Sequence, residues 1–243
     1  MHKMLSLFVC VCSLLLISIS RAEELRRIKA FVALCDNKSQ GIAPVPAKIG
    51  DGNIPAENLY WGCTDGLSSY FKASKSWKIL RKETPDDKRI MERLYFTNAT
   101  LSLELCAEAW RGSEITACMQ AFEKTMLSGE FQLVAYIGHN VLMDRNIALP
   151  EGNPNKKCDA IVLCCKSNPY FHQRLTSLQA RPILLTEQFM YPGAFLLHDA
   201  IVPWAKNQNV TAIRTAAGDA YARNQKISTK AAQGVFTDLP LVK

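Results

Sequence analysis

The chain of 243 residues carries 29 Lys and Arg, 22 Asp and Glu, and nine cysteines. Its formal net charge of +7 is mild, and no basic block is interleaved with aromatic residues, which argues against a partner that is a nucleic acid. The cysteines form no CxxC pair and no Cys/His cluster with the spacing of a zinc site, so we predict neither a metal nor a cofactor.

The first 22 residues have the features of a cleavable secretory signal. Met1-His2-Lys3 is a short basic start, the next stretch is almost entirely apolar, and Ser20-Arg21-Ala22 offers small residues for cleavage after Ala22. The alternative is an uncleaved membrane anchor, because the apolar run is near the low end of bilayer-spanning length. We expect a secreted or periplasmic protein, with a signal peptide at 1–22, one α/β domain at 23–243 and no stable membrane span afterwards.

Removal of the signal changes both the charge and the cysteine count. Lys3 and Arg21 leave with it and lower the net charge by two, and Cys10 and Cys12 leave as well. Seven cysteines then remain, an odd number. In an exported protein this number predicts some disulfides and at least one free thiol, although the sequence does not assign the pairs.

Apolar runs alternate with helical patterns along the rest of the chain. This alternation predicts a mostly parallel sheet with helices on both faces. A long loop rich in Gly, Pro and Asn, residues 38–58, follows the first strand, and its length indicates a functional or mobile segment. The predicted strands are 25–34, 77–81, 93–96, 131–137, 159–165 and 182–185, and the predicted helices are 59–72, one or two within 100–127, 195–206 and 210–224.

Two of the clearest strands carry reactive side chains just beyond their ends. One leads into Gly138-His139, and the other leads into Cys164-Cys165. Ligands of α/β sheets bind outside the carboxyl ends of the strands, so neighbouring parallel strands would place the imidazole and one thiol on the same rim. The imidazole would take the thiol proton, and the thiolate would attack a carbonyl. Gly138 permits a sharp turn, and its N–H would bind an oxyanion.

The order strand–Gly–His followed by strand–Cys–Cys resembles the caspase-like fold of the clan CD cysteine peptidases, which include caspases, gingipains, legumains and CHAT domains. The matching stretches are residues 134–140 and 159–167, within a resemblance that covers about residues 28–205. The family has a small residue before its nucleophile, and Cys164 occupies that place and is expected to face the core. The resemblance implies a three-layer α/β sandwich, a catalytic base at His139 and a nucleophile at Cys165.

Three acidic residues are candidates for a substrate pocket that selects a basic group: Asp36, Asp65 and Glu187. The leading hypothesis is therefore a secreted caspase-like cysteine peptidase that acts on a peptide or protein. One alternative is a catalytically inactive caspase-like module that binds or scaffolds a protein partner. Another is an exported α/β protein that binds a small ligand at the same strand ends.

Overall fold

A computed structural model of the protein describes residues 24–152, 154 and 156–240. The predicted signal peptide, residues 1–22, lies outside the described residues. No helix in the described part of the chain is long and apolar enough to cross a membrane.

The centre of the fold is one seven-stranded sheet with the order β2-β3-β4-β1-β5-β6-β7. The neighbours β4, β1, β5, β6 and β7 run parallel, whereas β3 is antiparallel to both β2 and β4. This arrangement confirms the predicted mostly parallel sheet. The strands are β1 (Arg26–Ala33), β2 (Lys78–Glu83), β3 (Ile90–Asn98), β4 (Leu103–Trp110), β5 (Leu133–Ile137), β6 (Asp159–Leu163) and β7 (Arg181–Leu184).

The register of the central strands places their carboxyl ends at one level. Val32 of β1 pairs with Ile137 of β5, and Ile137 pairs with Leu163 of β6. All five residues of β5 are buried, which is typical of a parallel strand covered on both faces. The chain segments that follow β1, β5 and β6 therefore start side by side at the same edge of the sheet.

Helices cover both faces of the sheet, as predicted, so the fold is an α/β sandwich of three layers. On one face Phe122 of α2 packs against Phe31 and Tyr136 of the sheet and against Phe171 of α3. On the other face α4 packs against β6, α5 packs against β7, and α1 packs against α4. The helices are α1 (Leu67–Ala73), α2 (Ile115–Ser128), α3 (Ser167–Ser177), α4 (Ala194–Ala205), α5 (Val210–Gln225) and α6 (Thr229–Gln233).

The prediction of a helical region across residues 100–127 is wrong in its first half, because Leu103–Trp110 is strand β4. Its Leu, Glu and Ala residues favour a helix by propensity, yet β4 is hydrogen-bonded on both sides, to β1 and to β3. Leu103 and Leu105 are fully buried on one face of the sheet. Tertiary pairing therefore overrides the local preference. The helix predicted at 59–72 begins only at Leu67, and α3 and α6 were not predicted.

The expectation of disulfides is not met in the described residues. All seven cysteines between Cys35 and Cys165 are free thiols. Five of them are buried, and several lie on separate elements; for example, Cys106 is on β4 and Cys118 is on α2. Only Cys63 and Cys165 are partly exposed.

Candidate active site

A cavity of about 460 Å³ lies at the carboxyl-end edge of the parallel strands. Its walls come from the segments that follow β1, β5, β6 and β7, and both His139 and Cys165 line it. β1 lies between β4 and β5 in the sheet. The strands β2 to β4 are added on one side of β1, and β5 to β7 are added on the other, so the strand order reverses at β1. Such a switch point is where open α/β sheets bind their ligands. The structure thus brings the predicted imidazole and thiol to one cavity.

The long loop after β1 forms one wall of the cavity and is held in place by buried side-chain amides. Asn58 is fully buried, and its side chain bonds to the backbone N–H and C=O of Cys35 at 3.1 and 2.8 Å. The side chain of Asn37 likewise accepts from the N–H of Val45 at 3.0 Å and donates to its C=O at 2.8 Å. These bonds fix the position of the wall next to the site.

His139 is held on both its backbone and its ring. The hydroxyl of Tyr136 donates to the C=O of His139 at 2.8 Å, and Nε2 of the ring lies 2.6 Å from Oδ2 of Asp144. A carboxylate oxygen can only accept, so Nε2 carries the ring proton. In the neutral form of the ring the lone pair is then on Nδ1, which takes part in no hydrogen bond among the described residues. Asp144 therefore fixes the orientation of the ring and leaves Nδ1 as its accepting atom.

Asp144 was not among the predicted site residues. A short 3-10 turn, Val141–Met143, returns the chain so that Asp144 meets the ring of His139. The N–H of Gly41 also donates to Oδ2 of Asp144 at 3.3 Å, and a Cβ at Gly41 would lie 2.7 Å from Oδ1. The sequence shows only that a carboxylate follows the histidine by five residues. This spacing indicates a contact only once the intervening 3-10 turn is known.

Cys165 occupies the sharp turn between β6 and α3. Lys166, the next residue, has a left-handed backbone with φ of 48°, which reverses the chain before the helix. The N–H of Met190 donates to Sγ of Cys165 at 3.4 Å, and the thiol donates to the C=O of Met190 at 3.5 Å. These two contacts hold the Cys165 side chain against the backbone of Met190. Cys164 is fully buried, which confirms that it faces the core.

Asn140 joins the histidine segment to the cysteine segment. Its side chain donates to the C=O of Cys165 at 2.8 Å and accepts from the N–H of Leu142 at 3.1 Å. The residue is fully buried, so these bonds are shielded from water. Asn140 therefore fixes the distance between the two turns that carry the imidazole and the thiol.

Gly138 has the conformation that the sequence suggests, but its N–H is occupied. Its φ is +156°, and a Cβ would come within 3.1 Å of Ala33. The N–H donates to the C=O of Leu163 at 3.2 Å, so in this structure it is not free for an oxyanion. The backbone N–H of Cys165, by contrast, donates to no partner among the described residues.

None of the three acidic residues predicted for a substrate pocket lines this cavity. Asp36 is buried and accepts hydrogen bonds from its own loop. Asp65 accepts from the side chain of Asn224 at 3.0 Å, and Glu187 accepts from that of Asn168 at 2.8 Å. The structure gives all three carboxylates partners within the protein and brings none of them to the thiol.

No protein-family model, curated protein or solved structure matches the chain. The chemistry of the site therefore rests on its own geometry. Within residues 24–152, 154 and 156–240, no group of three or more His, Cys, Asp and Glu side chains is placed to hold a metal ion. The cavity is lined by a partly exposed thiol, that of Cys165, and by the imidazole of His139, which Asp144 bonds from outside the lining. A thiol and an imidazole at one site are the groups that nucleophilic chemistry at a carbonyl requires.

Alkylation of the folded protein is expected to distinguish Cys165 from the other cysteines. Burial raises the pKa of Cys35 and Cys158 to about 11 and raises the pKa of the other buried thiols as well. We expect iodoacetamide at neutral pH to modify Cys165 first and Cys63 more slowly, because burial also raises the pKa of Cys63. The five buried thiols should react only after unfolding. Peptide mapping by mass spectrometry over time measures these rates, and equal rates at Cys165 and Cys63 would contradict an activated thiol.

Proposed function

We propose that the protein is a caspase-like cysteine peptidase, with Cys165 as the nucleophile and His139 as the general base. One observation carries the proposal. The two side chains follow adjacent parallel strands and line the same cavity at the carboxyl-end edge of the sheet. This is the arrangement that the resemblance implies, in which the histidine follows one strand and the cysteine follows the next.

The proposed reaction begins with transfer of the Cys165 proton to Nδ1 of His139. The thiolate attacks the peptide carbonyl and forms the C–S bond, and the electron pair moves to the carbonyl oxygen. Collapse of this intermediate breaks the C–N bond, and the imidazolium gives its proton to the leaving amine. Water, deprotonated by His139, then hydrolyses the thioester and frees Cys165. Asp144 stabilises the imidazolium and holds the ring in place throughout.

The oxyanion of the intermediate needs at least one hydrogen-bond donor, and a single donor of this kind contributes about 10²- to 10³-fold in rate. The free N–H of Cys165 supports this role, because it belongs to the residue that attacks the carbonyl. Gly138 contributes its conformation instead. Its φ is positive and a side chain would crowd Ala33, so glycine permits the tight turn into His139.

The site departs from the family pattern at Asn140, since that family commonly has glycine after the histidine. The side chain of Asn140 bonds to the C=O of Cys165. The substitution therefore adds a tie between the two catalytic turns and leaves the imidazole and the thiol in the same cavity. It is compatible with an active dyad.

Replacement of Asp144 by asparagine is expected to lower kcat/KM by about 10- to 100-fold. The asparagine amide can donate to Nε2, which would favour the ring tautomer with its proton on Nδ1, the atom proposed to act as the base. The side chain of Asp144 is 35 % exposed, so solvent screening keeps the effect below that of a buried orienting carboxylate. Steady-state kinetics of Asp144→Asn beside Asp87→Asn measures it. Asp87, whose carboxylate bonds Arg89 away from the cavity, serves as the control.

A peptide-library digest tests the proposed function. The purified protein and its Cys165→Ala variant are each incubated with peptides derived from a whole-cell lysate, and new termini are identified by mass spectrometry. We expect new termini only with the wild-type protein. If the wild-type protein produces none, although its Cys165 is modified by iodoacetamide, the inactive binding module and the exported small-ligand-binding protein become the better descriptions.

A further inference from the structure

We infer that the cavity beside Cys165 selects its substrate by an uncharged, apolar side chain on the acyl side of the cleaved bond. The inference rests on the proposed function and specifies its substrate class. It replaces the expectation, drawn from Asp36, Asp65 and Glu187, that the pocket selects a basic group.

Apart from the dyad and two phenols, the side chains of the cavity wall are apolar. Ile42 and Val45 come from the loop after β1, Met143 from the turn after His139, and Phe189 and Met190 from the segment after β7. No Asp, Glu, Lys or Arg is among the residues that line it. A charged substrate side chain would lose its hydration here without gaining an ionic partner, which is strongly unfavourable.

The two phenols of the wall remain neutral and do not replace a charge. Burial raises the pKa of Tyr60 well above its ordinary value of 10, and burial together with the charge of Asp65 raises the pKa of Tyr191. Asp65 thus acts on Tyr191 from outside the cavity lining and is itself bonded to Asn224. The phenols can accept or donate a hydrogen bond, but they offer no anion to a lysine or arginine side chain.

Two charged side chains adjacent to the dyad, those of Asp144 and Lys166, interact with other groups of the protein. Asp144 bonds the ring of His139 and the N–H of Gly41. The ammonium group of Lys166 lies 4.6 Å from the centre of the Phe189 ring, and Lys166 does not line the cavity. Neither Asp144 nor Lys166 lines the cavity, so a charged substrate side chain inside it meets no counter-charge among the lining residues.

The volume and the rim fit a peptide with one large apolar side chain. About 460 Å³ lies within the range of pockets that bind small organic groups. Phe189 is 64 % exposed at the rim, where an apolar ring in water can pack against a neighbouring residue of the peptide. We expect Leu, Met or Phe at the acyl position to be preferred over Lys, Arg or Asp by at least about 100-fold in second-order rate. A single methylene group in an apolar pocket already contributes about 10- to 200-fold, and an unpaired buried charge is more unfavourable still.

The experiment uses a matched set of peptidyl acyloxymethyl ketones that differ only in the acyl-side residue: Leu, Phe, Lys, Arg and Asp. The rate of adduct formation at Cys165 is measured by intact mass and peptide mapping, and the rate with iodoacetamide is measured in parallel. Faster reaction with Leu and Phe supports the inference. Faster reaction with Lys, Arg or Asp overturns it and leaves the proposed peptidase standing. Absence of any peptidyl adduct, with an ordinary iodoacetamide rate, removes the proposed function and the inference together.

A pocket variant tests the wall directly. Val45 is suitable because the side chain of Asn37 bonds to both its backbone N–H and its C=O, so a substitution should leave the backbone in place. Val45→Asp should raise the rate with the Lys and Arg ketones at least about 10-fold and lower the rate with Leu, whereas the uncharged Val45→Asn should lower the Leu rate without that gain. Val202→Asp, on an exposed position of α4, should change neither rate. If Val45→Asp does not fold, Ile42→Asp serves as a second wall variant. A folded wall variant that keeps the wild-type preference among the Leu, Lys and Arg ketones would overturn the inference.

Discussion

Replacement of Cys165 by serine is expected to lower kcat/KM for peptide cleavage by at least about 10³-fold, because losing one member of a catalytic unit removes most of its rate enhancement. A serine hydroxyl in the same place is far harder to deprotonate than a thiol and is a weaker nucleophile. The Met190 N–H can still donate to the new oxygen, so the turn should keep its structure.

The control for this variant is Cys63→Ser. Cys63 is the other partly exposed thiol, and it bonds to the C=O of Glu57 at 3.2 Å, outside the cavity. A serine there can make the same hydrogen bond, so we expect unchanged activity. Thermal unfolding of both variants shows whether the fold is retained. A Cys165→Ser protein that folds and cleaves peptides at the wild-type rate would refute a cysteine-dependent mechanism.

Replacement of His139 by alanine is expected to lower kcat/KM by about 10²- to 10⁴-fold, the usual contribution of a general base. The ring of His139 is only 8 % exposed, and without it Asp144 would keep the N–H of Gly41 as its hydrogen-bond donor. Alkylation of Cys165 by iodoacetamide at neutral pH should slow in the same variant, because the thiol loses the group that takes its proton. Both rates are measured on one preparation.

His172→Ala is the matched control for the histidine variant. His172 is exposed on α3, its ring bonds to the side chain of Asn168 at 3.0 Å, and it does not line the cavity. We expect its removal to leave both the cleavage rate and the alkylation rate unchanged. Equal losses in His139→Ala and His172→Ala would indicate a general effect on the fold, and undiminished alkylation in His139→Ala would separate the imidazole from the thiol.

Buried strands were predictable where the apolar residues run without interruption. β5 and β6 are such runs, and their position next to each other places His139 and Cys165 as the sequence suggests. β4 was not predictable in this way, because its composition favours a helix and only pairing with β1 and β3 makes it a strand. Local pattern thus located the strands that carry the site but missed a central strand of the sheet.

The parts of the site that the sequence did not reveal depend on turns. Asp144 reaches His139 only through the 3-10 turn that precedes it, and Asn140 reaches Cys165 only because β5 and β6 are neighbours. Asp36 illustrates the opposite case, since its position after a strand suggested a pocket and its hydrogen bonds hold its own loop instead. The secretory signal in residues 1–22 stays a prediction.

The most direct test of the proposed dyad is covalent trapping of Cys165 by a peptidyl acyloxymethyl ketone with leucine at the acyl position, followed by intact mass and peptide mapping. We expect one adduct, on Cys165, formed at least about 100-fold faster than any adduct on Cys63 and strongly slowed in the His139→Ala variant. An adduct on Cys165 that forms no faster than one on Cys63, or that forms equally fast without His139, would contradict the account.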